Sequence, residues 1–149
     1  NMTSTSGLAT YPSAGDTINA RLYLTTTGAT IAGIWWGVSE AVGGNDVKPT
    51  DGYYARVWAD GTLDVLKLIG GTQTNMQSTS LTVPTGEWLR LEVQWGTDGS
   101  MTVTLYDAAG TSLGSVTASD SNLTSGGIGW HGNATSTGWE AYYDDYVIQ

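Results

Sequence analysis

Apolar and polar residues alternate along most of this 149-residue chain, a period typical of β-strands with one buried face. The alternation is clearest at residues 18–24 and 87–95, where almost every second side chain is apolar. Further strands are predicted at residues 31–38, 53–59, 62–69, 101–106, 113–118, 128–130 and 139–148. No stretch has helical periodicity with capping residues. The pattern therefore predicts an all-β fold with no substantial helix.

Turn residues separate these segments at short intervals. Asp60-Gly61 lies between two predicted strands and is a strong hairpin signal, and residues 96–99 form a second turn of this kind. Evenly spaced strands joined by Gly- and Asp-rich turns indicate an antiparallel sandwich of two sheets. We predict a single domain over residues 1–149, in which residues 1–7 are a loose start or a short edge strand.

Four segments of the chain carry a resemblance to a known family. They are residues 8–16 (LATYPSAGD), 87–95 (EWLRLEVQW), 98–107 (DGSMTVTLYD), and 126–130 (GGIGW) followed by 139–148 (WEAYYDDYVI). With these segments the chain resembles the concanavalin A-like lectin/glucanase domains of the laminin-G type, here of the kind found in secreted, cell-surface or viral fibre proteins of halophilic archaea. This resemblance implies an antiparallel two-sheet jelly-roll sandwich and an extracellular location, whether secreted, on the cell surface or on a virion.

The start of the chain departs from the family pattern. Related domains have a further strand before the segment at residues 8–16, whereas only seven residues precede Leu8. Either the chain is trimmed here, or a neighbouring copy donates a strand to an open edge.

Charge and composition exclude several classes of protein. The net charge is −9 and the pI is near 4.1, so nucleic acid and anionic membranes would repel the surface. This acidic, Lys-poor composition suits a halophilic source, and an ordinary secreted acidic domain is the alternative. The absence of Cys excludes disulfides and thiolate zinc sites, and no apolar run is long enough for membrane insertion.

Catalysis is not expected. Glycosidases of this fold usually carry two carboxylates at alternate positions of one strand, and none of the four glutamates forms such a pattern. A Ser-His-Asp arrangement would need His131, the single histidine, which lies at the predicted start of a loop without a Gly-x-Ser-x-Gly turn. We therefore predict that the protein is not an enzyme.

Asp144 and Asp145 match the position at which many domains of this family hold a structural Ca²⁺. The resemblance thus implies calcium as a structural cofactor with these two residues as ligands, since Ca²⁺ prefers carboxylate and carbonyl oxygens. In a regular strand one of the two would point inward and need a cation or several N–H donors. The alternative is that one carboxylate accepts backbone amides while the other is solvated.

Sugar binding is the remaining chemistry, and it requires an aromatic surface with polar side chains around it. Tyr54, Arg56 and Trp58 share one face of a predicted strand, and Trp36 joins them if the register allows. The opposite face, residues 53, 55 and 57, is equally able to be the buried one, so the sequence does not decide which face is exposed. Other candidates for ligand binding are Asp51 in the loop at residues 39–52, and Trp130, His131 and Trp139 around the loop at residues 131–138.

These observations predict a non-catalytic carbohydrate-binding or adhesion module of an extracellular or cell-surface protein. The alternative is a structural or receptor-binding domain of a virion fibre or an extracellular filament. The expected partner is a glycan or polysaccharide. Other copies or neighbouring chains are further partners, through an open edge strand.

Overall fold

The computed structural model describes residues 2–4, 11–25, 30–39, 49–134 and 141–149, and all regular structure in these ranges is β-strand. The predicted all-β class is confirmed. None of the described residues belongs to a helix of the length and hydropathy needed to cross a membrane. The strands are β1 (Met2–Ser4), β2 (Thr17–Leu24), β3 (Thr30–Val38), β4 (Gly52–Trp58), β5 (Thr62–Ile69), β6 (Thr72–Ser80), β7 (Trp88–Trp95), β8 (Ser100–Tyr106), β9 (Ser112–Ser119), β10 (Gly127–Ala134) and β11 (Ala141–Ile148).

The strands form two antiparallel sheets that pack face to face as the predicted jelly-roll sandwich. A six-stranded sheet has the order β1-β10-β3-β4-β5-β6, and a five-stranded sheet has the order β11-β2-β7-β8-β9. Met2–Ser4 pairs with β10 and forms one edge of the six-stranded sheet. The sequence predicts either a loose start or a short edge strand for residues 1–7, and Met2–Ser4 corresponds to the second of these.

The core lies between the two sheets and follows from the alternation in the sequence. In β2 the residues Ile18, Ala20, Leu22 and Leu24 are fully buried, while the residues between them are only partly buried. Aromatic rings fill the centre of the core: Tyr53 lies between Trp36 of its own sheet and Trp95 of the other, with ring centroids 5.9 Å apart in both pairs. Large rings of this kind bury much apolar surface and hold the sheets together.

The hairpin predicted at Asp60-Gly61 connects β4 to β5. Gly61 has φ +106°, and its N–H donates to the carbonyl of Trp58 at 3.0 Å. A Cβ at this position would lie 2.5 Å from the carbonyl oxygen of Leu81, so the turn requires glycine both for its conformation and for its close contact.

The structure adds one long strand that the alternation did not predict. β6 is composed of polar residues apart from Met76, most of its side chains are exposed, and it forms the second edge of the six-stranded sheet. An edge strand exposed on both faces needs no apolar alternation, and the sequence therefore carries no signal for it.

Candidate functional site

The register between β3 and β4 determines which aromatic residues share a face. Trp35 pairs with Tyr54, whereas Trp36 pairs with Tyr53. Tyr54, Arg56 and Trp58 consequently lie on the outer face of the six-stranded sheet, and Trp36 is fully buried in the core. The prediction that Trp36 joins this face is wrong, because a shift of one residue along a strand reverses the side on which a side chain lies.

Arg56, Trp58 and Asp64 form a hydrogen-bonded group on this outer face. Arg56 Nη2 donates to Asp64 Oδ2 at 2.7 Å, and Trp58 Nε1 donates to the same oxygen at 2.9 Å. Ser78 Oγ donates to Asp64 Oδ1 at 2.8 Å, and Asn75 Nδ2 donates to Ser78 Oγ at 2.9 Å. We call these five residues the Arg56 cluster. It runs across β4, β5 and β6, because Arg56 pairs with Asp64 and Asp64 with Ser78.

Asp64 is the central residue of the Arg56 cluster. It is buried, and its two oxygens accept three hydrogen bonds, one of them from a guanidinium. A buried carboxylate is stable only with such partners. Asp64 therefore fixes the orientation of both Arg56 and the Trp58 indole. It was not among the predicted site residues, although an aspartate facing Arg56 across a predicted hairpin was a usable signal.

The Arg56 guanidinium lies near two aromatic rings. Its carbon is 5.1 Å from the centroid of the Trp58 ring and 5.7 Å from that of Tyr54. The Nε–H of Arg56 is buried and has no acceptor in the part of the chain that the structure describes.

A layer of aromatic residues lies beside the cluster. Trp35 and Tyr54 are tilted against each other with centroids 4.0 Å apart, and the His131 ring is 5.2 Å from Tyr54. Both Trp35 and Tyr54 are buried, and burial raises the pKa of Tyr54 to about 12. Tyr54 is therefore recessed, whereas an open platform was expected from the sequence.

His131 lies within β10, not at the start of a loop as predicted, and is buried on the outer face. Between it and Arg56 lies Gly33, which pairs with both residues. A Cβ on Gly33 would come 2.0 Å from the carbonyl oxygen of Ala55, so this position admits no side chain.

Two other predicted site residues lie elsewhere. Trp130 packs against the core, where its ring centroid is 4.7 Å from that of Tyr143 and 4.8 Å from that of Tyr146. Asp51 precedes β4 and accepts the N–H of Gly70 at 2.6 Å, which anchors the turn between β5 and β6. Trp139 lies outside the described residues.

Asp144 and Asp145 are both exposed, since a bulge interrupts the pairing of β11 with β2 after Asp144. Asp145 has φ +50°, and its carboxylate lies 3.4 Å from Arg21 Nη1. Neither aspartate points inward, and no group of three or more potential metal ligands occurs among the residues that are described. This arrangement does not fit a calcium site, which takes six to eight oxygens. A structural calcium ion stays a prediction of the resemblance alone.

Known proteins with similar structures place the fold among lectins and carbohydrate-binding modules. The carbohydrate-binding module CBM66 from Bacillus subtilis has a TM-score of 0.69 at 13% identity, over 95% of this chain and 78% of its own. A legume lectin-like domain from Entamoeba histolytica has a TM-score of 0.71 at 12% identity, over 95% of this chain and 75% of its own. Sheep galectin-11 has a TM-score of 0.63 at 13% identity, over 94% and 95% of the two chains.

No protein-family model and no curated protein matches this sequence. At identities this low the structural similarity shows the fold alone. The chain has the lectin-like jelly-roll fold that its motifs implied, while the halophilic archaeal source stays a prediction.

Proposed function

We propose that this chain is a non-catalytic carbohydrate-binding module whose site is the Arg56 cluster. The observation that carries the proposal is the outward-facing Asp64, which holds an arginine and a tryptophan in fixed orientations. Sugar sites combine an aromatic ring for the C–H face with a few placed polar groups for the hydroxyls. The fold, which is shared with lectins and carbohydrate-binding modules, supports the same assignment.

Each member of the cluster has a role in this proposal. The Trp58 indole stacks on a sugar ring, since its N–H is already bonded to Asp64. Arg56, whose side chain is partly exposed and is held by Asp64, donates to sugar oxygens through guanidinium N–H groups that are not bonded to Asp64. Ser78 and Asn75, which are exposed on β6, provide further hydroxyl and amide groups at the rim.

The proposal assigns no catalytic role to the cluster. Asp64 is its single carboxylate and is bonded to a guanidinium, whereas glycoside hydrolysis uses a pair of carboxyl groups with different protonation states. An extracellular or cell-surface location and an adhesive role are part of the same proposal, and the net charge of −9 suits them.

A glycan array with wild-type protein and two variants tests this assignment, in buffers with Ca²⁺ and with EDTA. We expect Trp58→Ala to lower binding at least tenfold, because the stacking ring and its contact with Asp64 are lost together, whereas Thr117→Ala on the exposed face of β9 leaves binding unchanged. Thermal midpoints of both variants separate loss of binding from loss of folding. Equal binding by Trp58→Ala and wild type would rule out the cluster.

The fibre or filament alternative has one observation in its favour. β6 is a nine-residue edge strand without charge or proline, and such edges are templates for pairing with another chain. This alternative predicts assembly that increases with protein concentration in light scattering and decreases in a Gln77→Lys variant. A blank glycan array together with such assembly would favour it over sugar binding.

A further inference from the structure

A second aromatic surface lies on the outer face of the five-stranded sheet. Tyr142, Tyr23 and Trp88 occupy neighbouring positions on β11, β2 and β7. The ring centroids of Tyr23 and Trp88 are 5.4 Å apart and those of Tyr23 and Tyr142 are 5.9 Å apart, in both cases edge to face. The three rings thus form a continuous row, which we call the Tyr23 row.

The Tyr23 row points away from the core. The neighbouring residues Leu22, Leu24 and Leu89 are the ones buried between the sheets, while Tyr142 is 49% exposed. A single exposed aromatic residue is ordinary, but here Tyr142 adjoins two partly exposed rings, Tyr23 and Trp88, and the three form a contiguous apolar surface of the kind that marks a binding site.

Beside Trp88 the surface forms a depression of about 230 Å³. The Arg21 guanidinium lies 5.1 Å from the centroid of the Trp88 ring at its margin. This volume suits one small polar ring, being below the range of roughly 300–1,000 Å³ for pockets that hold drug-sized ligands. Arg21, Trp88, Arg90 and Asp107 are among the residues that line it.

Both arginines beside the depression are paired with carboxylates. Arg21 pairs with Asp145, and Arg90 pairs with Glu92 while also donating to Asn19 Oδ1 at 2.7 Å. The Arg21–Asp145 pair is long and about half exposed, so its groups are able to rearrange toward a ligand. Because both arginines are paired, Asp107 also lines the depression and the net charge of the protein is −9, an uncharged polar ligand is favoured over a polyanion.

We propose that the Tyr23 row is a second carbohydrate-binding site, specific for an extended neutral polysaccharide. Successive sugar rings stack along the three aromatic residues, and one ring enters the depression beside Trp88. The site lies on the sheet opposite the Arg56 cluster, so it functions independently of that cluster and does not require it.

Affinity electrophoresis in native gels tests the proposal with soluble mixed-linkage β-glucan, galactomannan, xyloglucan and fructan as probes. We expect at least one of these polysaccharides to retard the full chain. Retardation should decrease at least fivefold in Trp88→Ala and Tyr142→Ala, and it should be retained in Tyr142→Phe, which keeps the ring. Tyr142 is about half exposed, so its replacement tests binding with little risk to folding.

The outcomes separate this site from the Arg56 cluster. Weaker retardation of Trp88→Ala and Tyr142→Ala, with or without a change in Trp58→Ala, supports the second site, while the glycan array with Trp58→Ala decides the first. If retardation is lost in Trp58→Ala alone, the second site is overturned. The same holds if none of the four probes retards the wild type. Retardation by polygalacturonate in place of the neutral probes also overturns it, as does a dimer in light scattering that Tyr142→Ala abolishes.

Discussion

At the scale of single residues, Asp120 links the end of β9 to the six-stranded sheet. Tyr53 donates its hydroxyl to Asp120 Oδ1 at 2.7 Å, and Lys67 pairs with the other oxygen. The Asn122 N–H also donates to Asp120 Oδ1 at 2.9 Å, while the Leu123 N–H donates to the Tyr53 hydroxyl at 3.1 Å. A buried core tyrosine and a lysine thus hold the segment that leads into β10.

This contact makes part of the stability depend on pH. Burial alone would raise the pKa of Asp120, but the hydrogen bonds from Lys67 and Tyr53 outweigh it and leave the pKa below its usual value. A carboxyl with a lowered folded pKa stabilises the fold above its unfolded pKa of about 4, and the contribution is lost as the pH falls through the folded value.

We therefore expect Asp120→Asn to lower the urea midpoint at pH 7, and we expect its difference from the wild type to shrink as the pH falls below about 4. Because the ion pair is partly buried, the loss at pH 7 should be about 1–2 kcal/mol. Urea unfolding measured across this pH range checks the prediction, with Glu87→Gln as a control for general charge effects. A difference between variant and wild type that is independent of pH would contradict it.

The candidate site shows how far single residues are predictable. The sequence predicted that Tyr54, Arg56 and Trp58 share a face, and they do, because a period of two follows directly from strand geometry. It did not predict that Trp35, and not Trp36, lies beside them. Two consecutive tryptophans satisfy either register equally well, so that choice depends on the pairing of β3 with β4.

At the scale of elements, the turn before β10 depends on one glycine. Gly126 has φ +154°, and a Cβ there would lie 2.5 Å from the carbonyl carbon of Gly37 and 2.7 Å from backbone atoms of Val38. Backbone atoms cannot move aside as the end of a flexible side chain does. The entry of β10 beside β3 thus requires the absence of a side chain at this position.

We expect Gly126→Ala to lower the free energy of unfolding by about 3 kcal/mol or more, because backbone strain and a steric clash add together. Gly110→Ala is the matched control. Gly110 also has a positive φ of +84°, but a Cβ added there would meet no atom within 4 Å, so strain alone should cost about 1 kcal/mol. Urea unfolding measures how much free energy of unfolding each variant loses. Equal losses in the two variants would contradict a steric requirement for glycine at position 126.

The strands themselves were predictable to different degrees. β2 and β7 follow the predicted alternation because one face of each is buried and the other is partly solvated. β6 was missed, since its polar residues face solvent on both sides and its place is fixed by pairing with β5. A strand with one buried face can therefore be predicted from its alternating sequence. An exposed edge strand cannot, because its position depends on pairing with a neighbouring strand.

At the scale of the whole molecule, the fold was more predictable than the site. Known structures share the jelly roll at 12–13% identity, so a pattern of buried positions is sufficient to specify it. The Arg56 cluster brings together side chains from three strands, and its central residue, Asp64, has no sequence motif. A site of this kind depends on the pairing register of the strands as well as on the pattern of buried positions along the sequence.

The two proposed sites, the Arg56 cluster and the Tyr23 row, lie on opposite outer faces of the sandwich. Two packed sheets keep these faces at least about 10 Å apart and directed away from each other. One protein molecule should therefore bind two separate polysaccharide chains, and binding at both sites should cross-link them. This prediction depends on both proposals and on both sites accepting the same polysaccharide.

We expect the wild-type protein to make a solution of the most strongly retarding polysaccharide turbid. Trp58→Ala and Tyr142→Ala should each still bind the same polysaccharide in native gels, more weakly and without producing turbidity, because each retains one site. A short oligosaccharide of the same sugar should reverse the turbidity of the wild type, since it occupies the sites without bridging them. Turbidity that persists in either variant would show that cross-linking has another origin, such as assembly through the β6 edge.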